Sequence, residues 1–245
     1  VVYSKTLEEQ KSVQRFLRVD PLTRSYPSWT PFAFAMNRPI DGIDLDGLEW
    51  ENFMSKFSAP GELTIKLPNE KTAQIQYYST LISNAKMTFT ELKKEFKSSP
   101  QNILTNSKAE FNAPVNGEGK PSEFKVGSYI KIDIDGPMNN AYVKVINMEE
   151  LDGSMSATFA TMEGHIEKGV IKFTLTDECD GKYNFSIKSV SEVDMGMAPE
   201  GLSRDQQKKS WEEVLDNVVK KSGGKETKRE EKVIEPKAKE NKNKK

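Results

Sequence analysis

The chain has 245 residues, room for one large domain or two small ones at roughly 100–200 residues per domain. Only 36% of them are apolar and 30% are charged, with a mean hydropathy of −0.67, so part of the chain packs no core. The net charge of −1 argues against a nucleic-acid binder, and no apolar run approaches the roughly 18 residues of an integral membrane segment.

Taken in chain order, Trp50, Phe53, Met54 and Phe57 recur at helical spacings and predict a short amphipathic stretch over 50–57. Ala59-Pro60-Gly61 then marks a boundary. Leu63-Ile65-Leu67 and Ile75-Tyr77 alternate, which predicts one or two strands within 62–82. Thr88 and Glu91 form a capping-box pattern, and Phe89, Leu92 and Phe96 share one helical face. Residues 99–122, rich in Pro, Gly, Ser and Asn, read as a loop with room for one short strand. Five β-rich runs come after it, at 129–134, 141–147, 154–162, 169–176 and 182–190. Asp152-Gly153 and Asp180-Gly181 are tight-turn dipeptides between runs, so the runs predict an antiparallel meander.

One long helix comes next. Ser203 is a good N-cap with Gln206 at the capping-box position, Trp211, Val214, Leu215, Val218 and Val219 form one apolar stripe, and Gly223-Gly224 stops the helix. A curved antiparallel sheet with a long C-terminal helix after it is the outline of an α+β helix-grip fold. From Ser222 to Lys245 there are nine Lys or Arg against five Glu, with Val233 and Ile234 as the only branched apolar residues. So little burial cannot offset the entropy of ordering, which predicts a disordered basic tail over 223–245.

Residues 15–49 carry Arg15-Phe16-Leu17 before Asp20-Pro21, then Thr30-Pro31-Phe32 with Ala35 and Asn37, Pro39-Ile40, and Asp44-Leu45-Asp46-Gly47-Leu48. This segment resembles the end of the RHS (YD-repeat) core of bacterial polymorphic toxins. The resemblance implies that 1–49 is the remnant of a core whose shell lies upstream in the same chain. It also implies that 50–61 is a linker, that the residues beyond it form a variable payload with an immunity protein as partner, and that the whole is secreted or delivered into a target cell. The first residue, Val1, fits a piece of a longer chain. Some members of that family cleave themselves with two core aspartates, which match Asp20 and Asp44 here, after the residue matching Leu48. Two carboxylates sharing a proton can activate water for such a step. The alternative is that Asp20 and Asp44 only cap turns beside Pro21 and Asp46-Gly47.

Within 126–193, the run Phe159-Ala160-Thr161-Met162-Glu163-Gly164-His165-Ile166-Glu167-Lys168-Gly169-Val170-Ile171-Lys172-Phe173 resembles the signature of an uncharacterised START-like (SRPBCC) subfamily. That resemblance implies a helix-grip payload domain over 62–222 that encloses an apolar pocket for a lipid or other apolar small molecule. Met162, His165, Trp211 and Leu215 are its expected lining.

His165 is the sole histidine. It could serve as a general acid–base oriented by Glu163 or Glu167, or as a turn histidine bonded to its own loop. Cys179, also alone, sits between Glu178 and Asp180, whose charges disfavour the thiolate, and it can form no internal disulfide. No phosphate loop, nucleophile elbow or metal set is present, and no cofactor is implied. Two function classes stay open: a toxin or effector payload, and a non-toxic ligand-binding module on an RHS scaffold.

Overall fold

A computed structural model describes residues 42–44, 50–52, 59–69, 72–134, 141–165, 167–193 and 200–235. Gly42–Asp44 (β1) and Trp50–Asn52 (β2) pair antiparallel, with Asp44 opposite Trp50. The helical spacing from Trp50 is therefore overridden at its start. A stretch this short is marginal as a helix, and pairing with β1 satisfies its backbone instead. Residues 53–58 lie outside the described residues.

Eight strands form one antiparallel sheet: Gln74–Ser83 (β3), Ala109–Phe111 (β4), Tyr129–Ile134 (β5), Ala141–Leu151 (β6), Ser154–Thr161 (β7), Glu167–Asp177 (β8), Tyr183–Val193 (β9) and Lys225–Ile234 (β10). Their spatial order is β10-β3-β9-β8-β7-β6-β5-β4. The five expected runs are the β5–β9 meander, each lying beside its sequence neighbour. The two turn dipeptides do what their chemistry predicts: Gly153 has φ +74°, and Asp180 and Gly181 have φ +53° and +69°. The 62–82 region yields one strand, β3, preceded by an extended segment that touches the sheet through an Ile65–Met162 bridge.

Phe89–Ser98 (α1) begins at the expected capping box. Glu91 N–H donates to Thr88 Oγ1 at 3.2 Å, and Thr88 N–H donates to Glu91 Oε2 at 2.8 Å. Within the segment expected to be a loop, Gln101–Leu104 (α2) makes one helical turn that buries Ile103 and Leu104, alongside the short strand β4. Two adjacent apolar residues give too little pattern to betray such a turn. The long helix is Glu200–Ser222 (α3), so Ser203 lies inside its first turn rather than ahead of it as a cap. Gly223, at φ +66°, ends it, and a side chain on Gly224 would meet Ile82 Cγ2 at 2.6 Å, so the chain there lies flush on β3.

The sheet and helices enclose the main core. Phe96, Phe159, Phe173 and Phe185 are almost fully buried, and Val214, Leu215 and Val218 of α3 pack onto them. The rings meet mostly edge to face, as Phe96 does with Phe185 at 6.0 Å and Phe173 with Trp211 at 6.0 Å. Each such side chain contributes roughly 1.5–3 kcal/mol by leaving water. Asn217 Nδ2 ties α3 to α2 by donating to Ile103 O and Thr105 O at 3.0 and 2.7 Å.

The tail corrects the expectation of disorder. Residues 225–234 form β10, paired along the whole of β3 from Lys225–Ser83 to Ile234–Ile75. Every β10 residue is exposed, so the strand adds nothing to the core, as its composition implies. It is held instead by ladder hydrogen bonds and by charge: Lys208 of α3 meets Glu231 at 2.7 Å, Arg229 meets Asp216, and Thr80 donates to Glu226 at 2.8 Å. Residues 236–245 lie outside the described residues. Among the described residues no helix is long and apolar enough to cross a membrane.

Candidate ligand site

The inner face of the sheet changes character along its length. On β9 the inward register runs Tyr183, Phe185, Ile187 and then Ser189, Ser191. Its neighbours change in step. On β3, Ile82, Thr80 and Tyr78 give way to Gln76 opposite Ser189 and Gln74 opposite Ser191; on β8, Leu175, Phe173 and Ile171 give way to Gly169 and Glu167. One end of the domain is thus an ordinary apolar core. At the other end a buried polar cluster lies under the N-terminal half of α3.

That cluster is wired by Arg204. Its Nη1 donates to Ser191 Oγ at 2.8 Å and to Gln207 Oε1 at 2.9 Å, and its Nη2 donates to Ser191 O at 2.9 Å. Gln207 Nε2 in turn donates to Glu167 Oε2 at 2.8 Å, and Arg204 Nη1 lies 3.7 Å from Glu167 Oε1. The Arg204 and Glu167 side chains are only 13% and 10% exposed, so this is a buried pair that needs its hydrogen bonds. Gly169 is required beside it, because a Cβ there would stand 2.8 Å from Ser191 Cβ.

Two adjoining cavities open between this cluster and the apolar core. The first, about 90 Å³, lies between α3 and the β4–β5 edge, lined by Ala109, Phe111, Ile132, Ile134, Gln206 and Trp211 among others. The second, about 60 Å³, reaches further in, against Phe159, Gly169, Ile171, Ser189 and Ser191. His165, Glu167, Gln207 and Trp211 line both. Together they give an apolar wall on one side and a hydrogen-bonding wall on the other.

His165 sits between β7 and β8 with its ring buried. Its Nδ1 accepts the Glu167 backbone N–H at 3.0 Å, and Lys66 Nζ donates to its carbonyl at 3.2 Å. Burial, with the Lys66 charge adding to it, pushes its pKa down to about 4. The ring is therefore neutral at physiological pH, with the proton on Nε2 and Nδ1 engaged. In that state it is a fixed hydrogen-bond donor, too weak a base at Nδ1 and too strongly engaged to shuttle protons near neutrality.

The other expected site residues separate. Trp211 and Glu167 line the cavities beside His165. Glu163 is exposed, its N–H bonded to Thr64 O at 2.8 Å. Met162 packs with Leu63 and Tyr129 in a separate small cluster, and Leu215 lies in the main core, so neither lines the cavities. Both pack against apolar neighbours, so burial in this fold does not by itself place a side chain at a void. Asp20 and Leu48 lie outside the described residues; Asp44 ends β1, and nothing is described of its side chain. Ser189, Ser191, Arg204 and Gln207 were not foreseen. Counting on by two from Tyr183, Phe185 and Ile187 lands on the two serines, a signal present in the sequence.

No family model matches the sequence, and no curated protein sequence matches it. Among solved structures, a hypothetical protein from Helicobacter pylori is 8% identical, with 60% of this chain and 86% of that one covered and a TM-score of 0.48. A START superfamily protein from Mycobacterium smegmatis is 12% identical, over 61% and 97%, at 0.41. A major latex-like protein from Panax ginseng is 14% identical, over 60% and 97%, at 0.39.

Proposed function

We propose that residues 62–235 act as a START-like ligand-binding domain that takes a small, largely apolar molecule between α3 and the sheet. The observation that carries this reading is the pair of adjoining cavities, apolar toward Phe111 and Ile132 and polar toward His165 and Glu167. A small number of convergent polar groups in an apolar recess is what a small-molecule site requires. Size narrows the expected lipid. The two cavities of about 90 and 60 Å³ fall far below the roughly 300–1,000 Å³ of pockets for drug-sized ligands. They compare instead with the roughly 150 Å³ apolar cavity that accepts benzene. Thermal-shift titration of the full chain tests the reading: monocyclic aromatic compounds should raise Tm, and a long-chain fatty acid should not. Absence of any shift with ring compounds at millimolar concentration would refute it.

A second reading concerns where the domain is used, and the motif elements over 15–49 favour it. In this reading the domain is the payload of an RHS-type toxin, with the RHS shell upstream, an immunity protein as partner, and release by cleavage after Leu48 through Asp20 and Asp44. Expression of the chain in a bacterial host, in the cytoplasm and with an added signal peptide in the periplasm, separates the classes. Growth arrest in either compartment supports a toxin; normal growth with folded protein present supports a binding module. In a chain that carries such a shell, Asp20→Asn or Asp44→Asn should each abolish the cleavage.

A further inference from the structure

The polar wall of the inner cavity is left incompletely bonded by the protein. Ser189 is 3% exposed and lines that cavity, yet its Oγ has no hydrogen-bond partner among the described residues. Trp211 lines the same cavity, and its indole Nε1 is likewise buried and without a partner. Two more orphans adjoin them. One is Oε1 of Gln76, the residue opposite Ser189 on β3; the other is Nε of Arg204, whose guanidinium holds Ser191. A buried polar atom left unpaired loses its bonds to water and gains none in return, and native folds leave few. Two of the four, on Ser189 and Trp211, belong to the lining of one cavity, where a bound group would complete their bonding.

The chemistry of the orphans selects that group. At the cavity wall the indole N–H can only donate and the Ser189 hydroxyl can donate as well, as can Arg204 Nε behind it; Gln76 Oε1, the one acceptor among the four, belongs to a residue outside the cavity lining. His165, with Nδ1 already accepting, offers a further donor at Nε2. The site therefore asks for an acceptor. Charge decides which kind: the nearby Arg204 already has the Glu167 carboxylate as its counter-ion, so a second carboxylate would enter without a free cation and against a like charge.

We propose that the two adjoining cavities together bind an uncharged, ring-sized molecule bearing an acceptor oxygen, such as an aryl ketone or aldehyde, whose oxygen receives the Trp211 indole N–H and the Ser189 hydroxyl in the inner one. The apolar body lies toward Phe111 and Ile132. This rests on the ligand-binding reading above and names the ligand class for it.

The test uses the full chain at pH 7 and three matched probes: acetophenone, cumene, which has the same shape without the oxygen, and benzoate, which adds charge. Acetophenone should bind at least tenfold more tightly than either of the others. With indole-¹⁵N-labelled tryptophan, the resonance lost in Trp211→Phe should move with acetophenone and stay in place with cumene. Trp211→Phe and Ser189→Ala should each level the acetophenone and cumene affinities. Ser189→Ala should also hold or raise Tm, because it removes an unpaired buried hydroxyl, so it carries the comparison even if the tryptophan variant folds poorly. Equal binding of acetophenone and cumene would overturn the acceptor assignment while leaving a ligand site. Tightest binding of benzoate would overturn the charge assignment. Binding of none of the three would overturn this proposal and the ligand-binding reading together.

Discussion

His165 shows how one side chain can look catalytic in a sequence and act as a brace in a fold. Its Nδ1 holds the Glu167 N–H where the chain enters β8, and burial pushes its pKa down to about 4 from an ordinary 6.5. In the unfolded chain the ring takes a proton as pH falls through about 6.5, whereas the folded ring resists until about 4. Stability should therefore be complete above pH 6.5 and decline as pH falls toward 4, by roughly 3 kcal/mol in all. The carboxylates Glu91, Glu95, Glu149, Glu150 and Glu213, all held below the ordinary range by hydrogen bonds, lose their contribution lower still. Urea unfolding from pH 7 to 5 should show the decline, and His165→Gln should flatten it. The single histidine ring signal in proton NMR should stay at its neutral position down to pH 5. A ring that titrates near 6.5 would return His165 to the general acid–base role.

At the scale of elements, legibility tracked how much apolar side chain each element buries. Strands β5–β9 were readable because Ile130, Ile132 and their counterparts alternate with polar residues between Asp-Gly turns, and α3 because Val214, Leu215 and Val218 recur at helical spacing. The capping box at Thr88 was readable because it is a local hydrogen-bond pattern. β10 was not, because KETKREEKVI buries nothing and is stabilised by backbone pairing with β3 and by ion pairs to α3. Composition is blind to both. The site was legible only in part for a related reason: polar residues at inward positions break the alternation that marks a strand, and read as its end. β10 also caps β3, which would otherwise be an open edge ten residues long. Truncation after Gly224 should cost little core stability and lower Tm by a few degrees. Its larger effect should be self-association of the bared β3 edge, visible as a concentration-dependent rise in mass by light scattering. A truncated chain that stays monomeric at high concentration would show that β10 does not protect that edge.

At the scale of the whole molecule, the domain is a two-ended core with α3 as the shared wall. The apolar end supplies rigidity through Phe96, Phe173 and Phe185, with Val214, Leu215 and Val218 seated on them. The polar end attaches the first turns of the same helix to β8 and β9 through Arg204, Gln207, Glu167 and Ser191, leaving a recess where packing is incomplete. A binding site built this way is open because hydrogen bonds replace apolar burial, and its geometry depends on all of them being made at once. Arg204→Met should remove the guanidinium from beside the buried Glu167 carboxylate and cost about 3–5 kcal/mol, as the loss of one partner of a buried pair does. Glu167→Gln should strand the guanidinium in turn. The double variant should be more stable than the two single losses added together, by at least about 1 kcal/mol, because neither charge then stays buried after losing the other. Strict additivity in chemical denaturation would mean that Arg204 and Glu167 act independently. The N-terminal turns of α3 would then be held by Gln207 and the serines, without the ion pair.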